Sequence, residues 1–257
     1  MTPDALREIA EAVAREAGHQ LRDAFAGPRV NVTAESSPTD LVSEADHAAE
    51  RLIRERLAAA RPGDGFLGEE GGDAQGSSGL RWVVDPLDGT INFLFGIPQW
   101  AVSIACEDER GTLVGVIYDP MRDELWTAER DGPALLDGRP IHASERADLA
   151  TALVATGFGY DAQVRREQAR VAAALLPQVR DIRRFGSAAL DLAWTAAGRY
   201  DAYYERGLNT WDVAAGELLC VRAGLALRQL EPAPPLAAGV LVAPHALFDA
   251  LQTLVAG

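Results

Sequence analysis

The sequence predicts a layered α/β fold, and three features of the chain support this. It opens with a segment of amphipathic helical character, continues with closely spaced strand-like segments, and ends in strands that alternate with helices. Alternation of this kind favours sheets covered by helices. A chain of 257 residues suits one large α/β unit, or two smaller subdomains that share a core.

Two helices are expected in the first quarter of the chain. The first runs from Thr2 to about Phe25, because Thr2 can cap it and apolar residues recur on one side at helical spacing. The second follows Ser43, another capping residue, and ends before a Pro-Gly pair. Between them we expect a short strand at 30–32 and a loop at 35–40.

Two short strand-like segments then end in carboxylates. Residues 66–68 lead into Glu69, and residues 81–84 lead into Asp85. The residues between them, 71–79, are rich in Gly and Ser and are interpreted as a loop. Each apolar strand therefore delivers an acidic side chain at its carboxyl end.

The rest of the chain divides near residues 144–149, where the composition changes. A strand meander is expected before this point, and alternating strands and helices after it. The meander strands are 101–106, 113–118 and 125–128, the later strands are 152–156, 181–184, 202–204, 225–230 and 240–242, and the helices are 165–176, 187–197, 211–223 and 244 onward. We expect residues 1–146 to form an N-terminal α+β subdomain with most candidate metal ligands, and 147–257 a C-terminal α/β subdomain, within a single structural unit.

Composition and charge exclude several classes of protein. Hydrophobic residues make up 48% and charged residues 24% of the chain, as in ordinary globular proteins. The net charge of −14 argues against a direct nucleic-acid partner, which needs a basic surface. The sequence shows no apolar run near the roughly 18 residues of a spanning helix and no secretory signal. We therefore expect no membrane partner. Cys106 and Cys220 lie in apolar stretches and are expected to be buried and unpaired, as in the reducing cytoplasm.

The strongest chemical signal is the segment Asp85-Pro-Leu-Asp88-Gly89-Thr90. An apolar strand brings Asp85 to its end, and the following proline interrupts strand pairing. Asp88 is expected to cap a helix that Gly89 and Thr90 open, and the free N–H groups at that helix start make an anion site. The structural alternative is that Asp88 is only a helix cap and Asp85 only part of a turn.

Further carboxylates occur in matching contexts. Glu69 follows a short strand, Asp46 lies in the first turn of the second helix, and Asp212 lies at an expected helix start. If they share a cleft, two charges about 4 Å apart repel by about 4 kcal/mol at an effective dielectric of about 20. A hard divalent cation with oxygen ligands relieves this repulsion, and Mg²⁺ fits.

Five segments together resemble the inositol monophosphatase family. They are Asp40-Leu-Val-Ser-Glu-Ala-Asp46, Gly68-Glu-Glu70, Asp85-Pro-Leu-Asp-Gly-Thr90, Asp201-Ala-Tyr-Tyr-Glu205 and Trp211-Asp212. The resemblance covers nearly the whole chain. It implies an αβαβα sandwich of the kind shared with fructose-1,6-bisphosphatase, and a homodimer.

The resemblance implies two to three Mg²⁺ ions in each active site. Glu69, Asp85 and the carbonyl of Leu87 would bind the first ion. Asp85, Asp88 and Asp212 would bind the second, and a third, weaker ion would lie near Glu69.

The resemblance also implies catalytic and substrate-binding roles. Asp46 and Thr90 would orient the attacking water, and Glu69 is the third implied catalytic residue. The amides of Gly89 and Thr90 would hold phosphate, and Glu205 would contact substrate hydroxyls with the turn at 186–188. The implied substrate contacts are Asp88, Gly89, Thr90, Gly186, Ser187, Ala188, Glu205 and Asp212.

The implied activity is hydrolysis of inositol 1-phosphate by a metal-activated water, with sensitivity to lithium. Three alternatives within the family stay open: histidinol phosphatase, fructose-1,6-bisphosphatase and 3′-phosphonucleotide phosphatase. Glu205 suits a polyol or amino-alcohol substrate better than a second phosphate. A different class of function is a non-catalytic partner of the transcription machinery.

One departure from the family pattern is Glu35, where the family often has Lys.

Overall fold

The structure is a computed structural model that describes residues 2–27, 32–34 and 41–256. The loop expected at 35–40, with Glu35, lies outside these residues, as does most of the strand expected at 30–32. The first elements are α1 (Pro3–Ala26), β1 (Val32–Ala34), β2 (Leu41–Ser43) and α2 (Glu44–Ala60). As predicted, Thr2 caps α1, because its side chain accepts a hydrogen bond from the Ala5 amide at 3.4 Å.

The predicted meander belongs to a sheet of eight strands. These are β3 (Gly65–Gly68), β4 (Gly72–Ala74), β5 (Arg81–Asp88), β6 (Ala101–Asp108), β7 (Gly111–Asp119), β8 (Glu124–Glu129), β9 (Ala134–Leu136) and β10 (Arg139–Pro140). Their order is β10-β9-β8-β7-β6-β5-β3-β4, and only β3 and β5 are parallel neighbours. A short helix, α3 (Thr90–Phe95), joins β5 to β6.

One strand of this sheet corrects the sequence prediction. Residues 72–74, expected to lie in a loop, form β4 instead. A turn at residues 69–71 follows β3, and Gly72, at φ +72°, completes it in a conformation that favours glycine. Asp73 then pairs with Leu67. The composition signal failed here because a three-residue strand depends on its neighbour in the sheet rather than on its own residues.

The alternation predicted for the second half of the chain is confirmed. Its elements are β11 (Leu153–Thr156), α4 (Ala162–Leu175), β12 (Asp181–Arg183), α5 (Ala188–Ala196), β13 (Ala202–Arg206), α6 (Thr210–Arg222), β14 (Ala226–Leu230), β15 (Gly239–Ala243) and α7 (His245–Val255). They include a second sheet in the order β12-β11-β13-β15-β14. β11 is parallel to both β12 and β13, whereas β15 is antiparallel to its two neighbours.

The layers form the predicted αβαβα sandwich. On β5, Trp82 and Val84 face a core with α1 and α2, while Val83 faces the opposite side, as the alternation of a strand requires. Val83 lies in the same core as residues of α5, α6 and the second sheet, so α5 and α6 are the middle layer. α4 and α7 cover the outer face of the second sheet.

The candidate division near residue 146 falls between β10 and β11, and it stays a prediction. The middle layer comes from the second half of the chain but packs on the first sheet as well as on the second. None of the described helices is both long enough and apolar enough to cross a membrane.

Candidate active site

A pocket of about 820 Å³ lies where β5 and β13 end and where α3, α5 and α6 begin. It contains nearly all of the site residues that the sequence suggested. These are Glu69, Asp85, Leu87, Asp88, Gly89, Thr90, Gly186, Ser187, Ala188, Glu205 and Asp212. The structure therefore gathers residues from both halves of the chain, although their individual roles stay predictions.

Asp85 lies inside β5 rather than at its end. Its pairing with Ser103 continues the strand, and the register shifts before Asp88 pairs with Ala101. Pro86, which has no N–H to donate, lies in this irregular part. The buried Asp85 carboxylate accepts a hydrogen bond from the Leu87 amide at 3.0 Å. The irregular backbone after Asp85 thus brings the Leu87 amide to the Asp85 carboxylate.

Three carboxylates of the pocket interact with one another: Asp85 is buried, and Glu69 and Asp212 are half-buried. Burial raises the pKa of Glu69 to about 9, and the negative charge of Asp212 adds to this shift. Burial and the charge of Glu69 raise the pKa of Asp85 well above its usual range. Burial also raises the pKa of Asp212 to about 7. The protein alone therefore does not compensate the negative charge that these side chains carry when ionised.

Asp88 caps a different helix from the one expected. The cap of α3 is Gly89, at φ +100°, which has no side chain to bond to the amides of that helix start. The Asp88 carboxylate instead accepts hydrogen bonds from the Ser187 hydroxyl and from the amides of Ala188 and Ala189, at 3.2 and 2.7 Å. The prediction was wrong because the left-handed turn at Gly89 directs the chain away from Asp88, while the start of α5 lies beside it.

These contacts also occupy polar groups in the turn before α5 that the sequence assigned to the substrate. The Ser187 hydroxyl and the Ala188 amide line the pocket, but both are already bonded to Asp88. Burial raises the pKa of Asp88 only to about 6, because hydrogen bonds from α5 oppose the effect. The N-terminus of α5 thus compensates part of the Asp88 charge.

Thr90 connects the pocket to α2. Its hydroxyl lies 2.9 Å from Asp46 and 3.1 Å from the carbonyl of Leu87, and both oxygens can accept its proton. Asp46 is 1% exposed in the first turn of α2. When Asp46 accepts the proton, the oxygen of Thr90 is oriented to accept a hydrogen bond from a water molecule in the pocket.

Asp212 has a structural contact in addition to its place in the pocket. It is the third residue of α6, and its carboxylate accepts a hydrogen bond from the Asn209 amide at 2.6 Å. The Asn209 side chain caps the same helix in return. This capping box fixes the position of the Asp212 side chain at the start of α6.

Glu205 lies on the opposite wall, near the end of β13. Tyr203 donates its hydroxyl proton to Glu205 at 2.8 Å, and burial raises the pKa of Glu205 to about 7. The carboxylate lies directly over Gly157, where an added Cβ would be 2.0–2.1 Å from its atoms. Glycine at position 157 therefore makes room for Glu205.

A sequence profile described as the inositol monophosphatase family matches residues 2–255. The chain belongs to the inositol monophosphatase family. It is 45% identical over 240 residues to inositol-1-monophosphatase SuhB of Mycobacterium tuberculosis, which covers 86% of this chain and 83% of the relative. It is 41% identical over 218 residues to Nus factor SuhB of Escherichia coli, at 84% and 82% coverage.

The fold of solved family members agrees with the sandwich described above. The crystal structure of the extragenic suppressor protein suhB from Bartonella henselae superposes with a TM-score of 0.91 at 36% sequence identity. The match covers 97% of this chain and 98% of that one. Membership in this family supports a phosphatase.

The pocket fits a metal ion by its chemistry, in agreement with the general metal dependence of the family. Its donors are carboxylate and carbonyl oxygens, which hard divalent cations prefer. Within the described ranges, no three Asp, Glu, His or Cys side chains already converge as ligands around one point. The raised pKa values of Glu69, Asp85 and Asp212 agree with this fit, because a bound cation would compensate the charge that these side chains carry when ionised.

Sequence reasoning missed the part of the pocket that follows β11. Phe158, Gly159, Tyr160 and Arg165 line its mouth. β11 and β13 are parallel neighbours, so their carboxyl ends lie at the same edge of the sheet. That rule could have linked the residues after β11 to Glu205, because ligands of such sheets bind beyond the carboxyl ends of the strands.

We expect Gly157→Ala to displace the Glu205 carboxylate and leave the fold intact. The new methyl group occupies the position of a side-chain end that can move, and the φ of residue 157 is not left-handed. A crystal structure of the variant should show the carboxylate moved by about 1 Å or more, since ordinary contacts need about 3.5 Å. Gly159→Ala is the control, because its Cβ would have no neighbour nearer than 3.6 Å. An unmoved Glu205 in Gly157→Ala would contradict the close packing described here.

Proposed function

We propose that this protein is a Mg²⁺-dependent phosphomonoesterase that hydrolyses inositol 1-phosphate to inositol and phosphate. One observation carries the proposal. One pocket is lined by four carboxylates of the kind that bind divalent cations, Glu69, Asp85, Asp88 and Asp212. The same pocket is lined by Glu205, a side chain suited to a polyol.

The proposed metal ligands are the four carboxylates and the carbonyl of Leu87. Bound Mg²⁺ lowers the pKa of a coordinated water and stabilises the departing oxygen, so no protein nucleophile is needed. Neither Cys106 nor Cys220 lines the pocket, since both are buried in cores. The chemistry of the chain itself is then binding and orientation.

Each protein group has one task in this scheme. The Thr90 hydroxyl, held by Asp46, accepts a hydrogen bond from the attacking water and so orients its lone pair. The amides of Gly89 and Thr90 hold the phosphate oxygens at the start of α3. Asp88 is held in place by the N-terminus of α5, which limits its movement.

Glu205 supports a polyol over a bisphosphate. Its half-buried carboxylate accepts hydrogen bonds from neutral hydroxyl or amine groups but repels a second phosphate. Of the alternatives in the family, histidinol phosphate suits this wall better than fructose 1,6-bisphosphate or a 3′-phosphonucleotide. The name Nus factor, which the Escherichia coli relative carries, supports a second candidate function in transcription.

A panel assay separates these functions. Phosphate release is measured with inositol 1-phosphate, histidinol phosphate, fructose 1,6-bisphosphate and a 3′-phosphonucleotide at millimolar Mg²⁺, with and without Li⁺. We expect the highest kcat/KM with inositol 1-phosphate, dependence on Mg²⁺ and inhibition by Li⁺. A higher kcat/KM with another ester would transfer the proposal to that substrate class. If no ester is hydrolysed, the phosphatase proposal fails and the transcription partner is favoured.

We also propose a cytoplasmic homodimer, formed through one apolar surface. Phe95, Ile97 and Phe185 are 67, 48 and 40% exposed. The side-chain amide of Asn92 donates to the carbonyls of Phe185 and Gln99, at 2.7 and 2.8 Å, so the segments after α3 and before α5 form one face. Grouped apolar exposure of this kind favours a protein contact.

Light scattering on the purified protein tests the dimer. The wild type should have about twice the chain mass of 27.4 kDa. Phe95→Asp should have about that chain mass, because an unpaired charge in an apolar contact costs a few kcal/mol. Leu176→Asp is the control, since Leu176 is 51% exposed outside this surface. A monomeric wild type, or a dimeric Phe95→Asp, would contradict the proposal.

A further inference from the structure

Arg206 is a buried cation, and among the residues that the structure describes no carboxylate contacts it. It is the last residue of β13, it is 6% exposed, and it forms no ion pair with a described residue. Its two terminal nitrogens donate to backbone carbonyls instead: Nη1 to Glu231 and Ala237 at 2.8 and 2.9 Å, and Nη2 to Ala256 and Val255 at 2.7 and 3.4 Å.

These four carbonyls belong to two segments far apart in the chain. Val255 is the last residue of α7, and Ala256 follows it. A helix presents unpaired carbonyls and a partial negative charge at this end. Glu231 and Ala237 lie near the two ends of the connection between β14 and β15. The guanidinium therefore joins the end of α7 and this connection to the end of β13.

The backbone on the other side of Arg206 is a wall of the pocket. Residues 205–209 all line it. Glu205 precedes Arg206, Gly207 donates its amide proton to the Ala238 carbonyl at 2.8 Å, and Asn209 bonds to Asp212 at the start of α6. Arg206 thus lies between the substrate residue and a candidate metal ligand, and its side chain anchors the segment from behind.

We propose that Arg206 is a positioning residue for substrate recognition. By holding the end of α7, it fixes the backbone of residues 205–209 and so the place of the Glu205 carboxylate in the pocket. This inference rests on the proposed function for its kinetic consequence. Its structural consequence, a wall held rigid from the C-terminal helix, does not depend on the substrate.

The kinetic test compares Arg206→Met, which removes all four hydrogen bonds, with Arg206→Lys, which keeps the charge and a donor group. With inositol 1-phosphate at saturating Mg²⁺, Arg206→Met should raise KM about fivefold or more and leave kcat within about twofold, because only positioning of the bound substrate is weakened. Arg206→Lys should restore part of the KM. Arg180→Met is the control, since the exposed Arg180 side chain donates to a single carbonyl of the described residues, that of Thr151.

An unchanged KM in Arg206→Met would overturn the proposal. So would a fall in kcat at constant KM that follows a loss of folded protein, because that pattern indicates a purely structural role. If Arg206→Lys does not restore KM and both variants lose kcat equally, the role of Arg206 is purely structural and the proposal is overturned.

Hydrogen exchange decides the anchoring without any substrate. Amides of residues 204–209 and of the end of α7 should exchange about tenfold faster in Arg206→Met than in the wild type, while those of β6 stay unchanged. Equal exchange in both proteins at 204–209 would overturn the inference. If the wild type hydrolyses no ester, the proposed function fails on the panel assay, and this comparison still tests Arg206.

Discussion

The mutual repulsion of buried and half-buried carboxylates is the constraint on which the rest of this pocket depends. Glu69, Asp85, Asp88 and Asp212 lie in one cavity, and burial raises the pKa of each. Helix starts compensate part of the charge on Asp88 and Asp212, at about 0.3–1 kcal/mol for each. Two charges about 4 Å apart repel by about 4 kcal/mol at an effective dielectric of about 20. The helix starts alone therefore leave much of the repulsion uncompensated, in agreement with the general metal dependence of the family.

The layered fold explains how these charges meet. α5 and α6 form the middle layer between the two sheets, and both begin at the pocket. Asp88 from the first sheet caps α5, while Asp212 belongs to the first turn of α6. The second sheet then adds Glu205 from the opposite side. The same packing that buries the core therefore sets the distances between the candidate metal ligands and Glu205.

Local sequence patterns predicted the helices and strands better than they predicted contacts between residues far apart in the chain. The alternation after residue 150 was sufficient for the second sheet, and the Asp85 segment was sufficient to suggest a metal site. The convergence of Asp46, Glu69 and Asp212 came from family resemblance, because no local spacing encodes it. Asp88 was assigned to the wrong helix because its true partners lie 99 to 101 residues away. Such contacts follow from layer packing, which short-range periodicity does not contain.

Thermal unfolding with and without Mg²⁺ tests the central claim most directly. Asp85→Asn removes one buried charge but keeps an oxygen that can accept from the Leu87 amide. Without metal, its Tm should equal or exceed that of the wild type. Mg²⁺ at about 100 times its Kd should raise the wild-type Tm by roughly 5 °C or more, and that of Asp85→Asn much less. The exposed control Asp73→Asn should keep the full shift. An equal Mg²⁺ shift in Asp85→Asn, or none in the wild type, would contradict the account.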